Sequence, residues 1–150
     1  MRHLSVLLIA LSALPAAAEE AVVQDCGPVS SAWNIAEPWE QNTLTFANGA
    51  VRLAILDTIE PAAAAFHLLV LSPPYDELGG RQCRVVSLSE EWMGFGFLSF
   101  ERWESSYDPA TGLRVVMDMG LYNPETGLND ALSLAVTINQ ATGEITGRWP

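Results

Sequence analysis

The last third of the chain alternates apolar and polar residues with the two-residue period of a half-buried strand. Leu113, Val115, Met117, Met119 and Leu121 fall on one face, and Leu132, Leu134, Val136 and Ile138 form the matching face of the next segment. Ile145, Gly147 and Trp149 continue it. Three turn-forming stretches punctuate the alternation: Asp108-Pro109-Ala110-Thr111-Gly112, Asn123-Pro124-Glu125-Thr126-Gly127 and Asn139-Gln140-Ala141-Thr142-Gly143. Asp or Asn opens each turn by bonding its own backbone, Pro where present sets φ, and Gly takes the left-handed position. The pattern predicts a four-stranded meander over residues 94–107, 113–122, 131–139 and 144–149. On its first strand the inward set is Phe95, Phe97, Trp103 and Tyr107. That register requires a three-residue turn and sets Arg102 across from Asp118 on the opposite face; a four-residue turn would slip the pairing by one. Leu98, Phe100, Val116 and Tyr122 make the second face partly apolar, so a cover is expected there.

The alternation is shorter upstream. Residues 43–47 read as a strand that meets Asn48-Gly49, a hairpin dipeptide, and Val51, Leu53 and Ile55 return from it. Residues 66–72 form a continuous apolar run that ends at Pro73-Pro74. A helix over residues 62–71, with Pro61 in its first turn, is the alternative. The short run and its turn-rich end favour a strand. Residues 82–88 are the next strand and carry Cys83. Residues 19–42 read as an irregular N-terminal arm. The expectation is an all-β domain over residues 43–150: about eight mostly antiparallel strands, as a sandwich or a flattened barrel, with the meander at its C-terminal end.

The N-terminus changes the setting. Arg2-His3 precedes an apolar run from Leu4 to Leu14, and Pro15-Ala16-Ala17-Ala18 leads into Glu19-Glu20. This is the layout of a signal peptide over residues 1–18, cleaved before Glu19. The run is too short for a membrane span, which needs about 20 apolar residues. Periplasmic or secreted localisation follows, by bacterial export, with no membrane insertion after cleavage. Cys26 is preceded by Val23-Gln24-Asp25, which is no lipid-attachment box. Two cysteines in an exported chain predict one disulfide, Cys26–Cys83.

Charge excludes some partners. The chain has no lysine and a formal net charge of −11. Such a surface repels phosphate backbones and anionic lipid head groups, so no nucleic acid is expected as a partner.

Candidate chemistry is sparse. His67, the one histidine beyond the leader, sits in an apolar run and reads as a hydrogen-bonded strand residue. No Gly-x-Ser-x-Gly elbow accompanies it. With both cysteines paired, zinc ligands run out, and no metal or cofactor is expected. Met117 and Met119 could offer thioethers to Cu(I), but they lie on the core face, where methionine is filler. Acidic pairs such as Glu90-Glu91, Glu101 with Glu104, Asp76-Glu77 and Asp57 with Glu60 read as solvated charges. The aromatics outside the strands are more informative. Trp33, Trp39 and Trp92, with Glu37, Glu40, Glu90 and Glu91 nearby, could anchor a ligand or interface, or fold back over an open end of the domain. The leading expectation is therefore a non-enzymatic exported module that binds a protein or cell-envelope component. A carrier with an internal apolar cavity and a hydrolase using paired carboxylates are the alternatives.

Overall fold

The structure is a computed structural model that describes residues 18–150; nearly all of the expected leader lies outside these residues. Nine strands follow in chain order: β1 (Glu19–Asp25), β2 (Thr43–Phe46), β3 (Val51–Asp57), β4 (Phe66–Tyr75), β5 (Arg81–Ser87), β6 (Phe97–Asp108), β7 (Gly112–Asn123), β8 (Leu128–Ile138) and β9 (Ile145–Trp149). They form one curled sheet in the order β2-β3-β4-β5-β1-β9-β8-β7-β6, and every pairing is antiparallel. The result is a nearly closed, flattened barrel, as the all-β expectation had it.

The arm needs correction. Glu19–Asp25 is not irregular but a strand, and it sits at the centre of the sheet. Its residues Val22, Val23, Gln24 and Asp25 pair with β5, while Glu19, Glu20 and Ala21 pair with β9. One strand thus joins the N-terminal half of the sheet to the C-terminal meander, as corner strands do when two sheets share an edge. The disulfide Cys26–Cys83 forms just beyond it, with Cα atoms 5.4 Å apart. Past Cys26 the arm folds onto the outer face of β3–β5. There Val29 and Ile35 pack with Leu56, Leu69 and Val85 in a small second cluster.

The meander has the expected turns. Asp108 pairs with Gly112 across a three-residue turn, and Asp108 Oδ1 accepts from the N–H groups of Ala110 and Thr111 at 2.8 and 3.1 Å. Gly112, Gly127 and Gly143 all have positive φ. The faces of β7, β8 and β9 are as read: Leu113, Val115, Met117, Met119, Leu134, Val136, Ile138, Ile145 and Trp149 are buried together. Strand β6 departs from the reading. Its register jumps between Ser99↔Asp118 and Trp103↔Met117, so residues 100–102 bulge out of the ladder. Leu98 and Phe100 are the buried residues of this strand, whereas Trp103 and Tyr107 are 41% and 66% exposed. Phe97 instead covers the bare backbone of Gly120, its cross-strand partner. Arg102 does meet Asp118, with Nε 3.0 Å from Oδ2.

At its N-terminal end the approach to β6 is anchored. Phe95 and Phe66 exchange backbone bonds of 2.7 and 3.1 Å, and Gly94 N–H donates to Ala64 at 2.8 Å. Beyond Ser99 no such tie to the N-terminal half exists among the described residues.

Candidate functional site

The two ends of the curled sheet, β2 and β6, face each other without pairing. Nine strands joined by eight antiparallel ladders explain this. The number is odd, so the first and last strands run in the same direction. Closing the ring would require a parallel ladder where every other one is antiparallel, and parallel pairing is slightly weaker per residue. The seam therefore stays open. It is bridged by side chains: the rings of Phe46 and Trp103 meet edge to face with centroids 5.5 Å apart.

A cleft of about 590 Å³ runs along this seam. Glu40, Gln41, Asn42 and Leu44 form one wall, and Ser99, Phe100, Glu101 and Trp103 the other. The bulge shapes the second wall. Phe100 turns into the core, Glu101 faces the cleft, and Arg102 points outward to Asp118. The Glu101 N–H donates to Ser99 Oγ at 3.0 Å, which satisfies one backbone group that the bulge releases. Past the bulge the strand continues as an open edge. All residues of β6 from Glu101 to its end are exposed.

The three tryptophans singled out from the sequence occupy different settings. Trp33 projects from a single helical turn, Ala32–Asn34, and is 87% exposed. Trp39 is 52% exposed and directly precedes Glu40 on the seam's rim. Its carbonyl accepts from Thr43 Oγ1 at 2.8 Å, which ties it to the start of β2. Trp92 has positive φ and lays its ring on Gly27, within the small cluster under the arm. Trp103, the aromatic at the seam itself, keeps the inward face expected of it, opposite Met117, but is 41% exposed at the open edge. Its odd-numbered alternation with Phe97 gave no hint of the intervening bulge.

A second, apolar cleft of about 360 Å³ lies on the outer face of β2–β4, bordered by Ile35, Thr43, Arg52, Ala54, Leu69 and Leu71. The interior of the barrel is filled. Leu53, Ile55, Leu68, Phe95, Met117, Met119 and Leu134 are fully buried against one another.

Several of the other titratable groups are engaged in structure. His67 is buried, and its Nδ1 lies 2.8 Å from Ser87 Oγ, also buried. Burial pushes the imidazole down from 6.5 to about 4, because the charged form loses its hydration. The carboxylates of Asp57, Glu60 and Asp76 cap nearby backbone N–H groups of Ile59, Ala62 and Leu78. Glu91 is held below its usual range by the Ser89 hydroxyl and its own backbone, the opposite of what a general acid needs. Among the described residues no group of three His, Cys, Asp or Glu side chains converges as metal ligands. No described helix is long and apolar enough to cross a membrane. Comparison with known proteins finds no matching family model, no matching curated protein and no matching solved structure.

Proposed function

We propose that this protein is an exported, non-enzymatic binding domain that holds a protein partner of the cell envelope or exported fraction along the free edge of β6. One observation carries the reading. Strand β6 is twelve residues long, is paired on one side only, and is exposed from Glu101 to its end. An open edge offers unpaired backbone N–H and C=O groups to any extended segment, and proteins that do not use such an edge normally shorten or cover it. Trp103 and Tyr107 stand on this edge as exposed aromatics of the kind that anchor interfaces. Trp39 adds a further aromatic at the rim. The leader-like N-terminus and the disulfide support the exported setting.

The two other readings have less behind them. The core positions are packed with side chains, which leaves an apolar-ligand carrier without a chamber. The hydrolase needs a pair of carboxylates held apart in pKa, and Asp57, Glu60 and Asp76 are occupied as turn caps.

Site-specific photo-crosslinking in the producing cell tests the proposal. A photoreactive residue at Ser105 should capture a partner in the exported fraction. The same residue at Leu78, on the far β4–β5 turn, should not. Tyr107→Pro, which removes a backbone donor from the free side of β6, should abolish the Ser105 adduct if the edge is the contact. Equal capture from both positions, or an adduct indifferent to the proline, would refute it.

A further inference from the structure

We infer that the segment received by β6 is an extended, cationic strand that runs antiparallel to it. The inference rests on the binding role proposed above and specifies the chemistry and direction of what is bound.

Direction follows from the strand count. β2 and β6 run the same way, because eight antiparallel ladders separate them. A guest antiparallel to β6 is therefore antiparallel to β2 as well. Ten strands would then close a ring with every neighbour antiparallel, which the nine alone cannot do. β2 ends at Phe46, beside Trp103, so the part of β6 beyond Trp103 has no strand facing it. A guest can pair there first, and it reaches the cleft only when the Phe46–Trp103 contact parts.

Charge sets the guest's chemistry. Glu40 and Glu101 stand on the two walls of the cleft, and Glu104 and Asp108 are exposed farther along β6. The cation on this strand, Arg102, is already engaged by Asp118 on the outer face. Arg81 is engaged by the carbonyls of Gly49 and Ala50, past the end of β2, while Arg114 lies across from Ser106 on β7 and Arg52 across from Thr45 on β3. Arg114 and Arg52 belong to inner neighbours of the edge strands and not to the seam. A lysine- or arginine-bearing strand would meet the edge carboxylates. A second copy of this chain would bring Glu101, Glu104 and Asp108 against their own kind, and like charges on paired strands are destabilising. The same carboxylates thus guard the edge against self-association and leave it open to a cationic strand.

The probe is a capped peptide of about ten alternating Thr and Lys residues, the length of an ordinary strand. It is compared with a Thr/Glu peptide and a fully N-methylated Thr/Lys peptide, using amide NMR of the whole folded domain at low salt. The Thr/Lys peptide should shift the amides of residues 103–108 and newly protect those of Trp103, Ser105 and Tyr107, which face the free edge. The Thr/Glu peptide should not bind. The N-methylated peptide keeps every charge but cannot donate to the edge, and it should lose the protection. A spin label at the N-terminus of the Thr/Lys peptide should broaden resonances near Asp108, and one at its C-terminus those near Ser99. The double variant Glu101→Gln/Glu104→Gln should weaken Thr/Lys binding roughly fivefold.

Each failure has its own meaning. Equal binding of the Thr/Lys and Thr/Glu peptides would overturn the cationic guest and leave the edge-binding role standing. Reversed label positions would overturn the antiparallel direction. Equal effects of the methylated and unmethylated peptides would reduce the contact to surface attraction and overturn strand pairing. Protection by neither peptide would overturn the inference, while the crosslinking experiment decides the binding role separately.

Discussion

His67 shows how one side chain couples this fold to pH. It lies on β4 across from Leu56, which is itself fully buried, and its single polar contact among the described residues is with Ser87. The folded protein holds it neutral, with a pKa of about 4 against 6.5 in the unfolded chain. Between those values the unfolded state binds the extra proton, so stability is full above about 6.5 and falls as pH drops towards 4. Denaturant unfolding from pH 7 to 4.5 should show that loss, and His67→Gln should flatten its part of the slope whatever it does to absolute stability. An unchanged slope in the variant would assign the acid sensitivity to the carboxylates. The sequence placed this histidine correctly inside an apolar strand. Trp103 lies opposite Met117, on the inward face read for it, but is 41% exposed because it stands on the open edge. Phe97, opposite Gly120, is the residue whose face differs from the reading. In Phe97-Leu98-Ser99-Phe100-Glu101-Arg102-Trp103 both odd and even positions are apolar, so alternation alone cannot choose a face. The bulge switches the inward positions from even (Leu98) to odd (Trp103, Tyr107), and no Gly or Pro marks it.

At the scale of elements, the turns were the most legible feature because their chemistry is local. Asp108, Asn123 and Asn139 each accept backbone N–H bonds within their own turn, and a glycine with positive φ follows each. These glycines are not equivalent. At Gly127 (φ 70°) a Cβ would meet open space, whereas at Gly112 (φ 99°) it would run into the carbonyl of Ile138 on β8. Gly127→Ala should cost about 1 kcal/mol, the ordinary penalty of a left-handed conformation. Gly112→Ala should cost clearly more, because backbone of the neighbouring strand must also move. Thermal melts of the two variants compare them directly, and equal losses would mean that β8 yields at no cost. Strand β1 was illegible for the converse reason. Glu19-Glu20-Ala21-Val22-Val23-Gln24-Asp25 shows no apolar alternation, only two adjacent valines. It is a strand because two partners, β5 and β9, claim different halves of it. The open seam was equally hidden, since whether a ring closes depends on the total count and direction of strands.

At the scale of the whole molecule, the N-terminal and C-terminal halves of the sheet meet through β1, and the disulfide secures that junction from one side. Cys26 and Cys83 are already neighbours by backbone pairing. Asp25 stands opposite Arg84 in the ladder and forms an ion pair with it, and the Cys26 N–H donates to the Cys83 carbonyl at 3.3 Å. The bond therefore adds little that the native ladder lacks. Its main effect falls on the unfolded chain, where it ties residues 57 positions apart. Chain entropy puts that effect at roughly 4 kcal/mol, an upper value if the unfolded chain keeps structure of its own. Replacing both cysteines by serine should lower the free energy of unfolding by about 3–4 kcal/mol in a denaturant titration. Hydrogen exchange at β1 and β5 should still show both strands protected under native conditions, because their ladder remains. A loss of that protection, with the rest of the sheet intact, would show instead that the bond holds β1 in place. The two halves of the barrel would then depend on an oxidising compartment to stay joined.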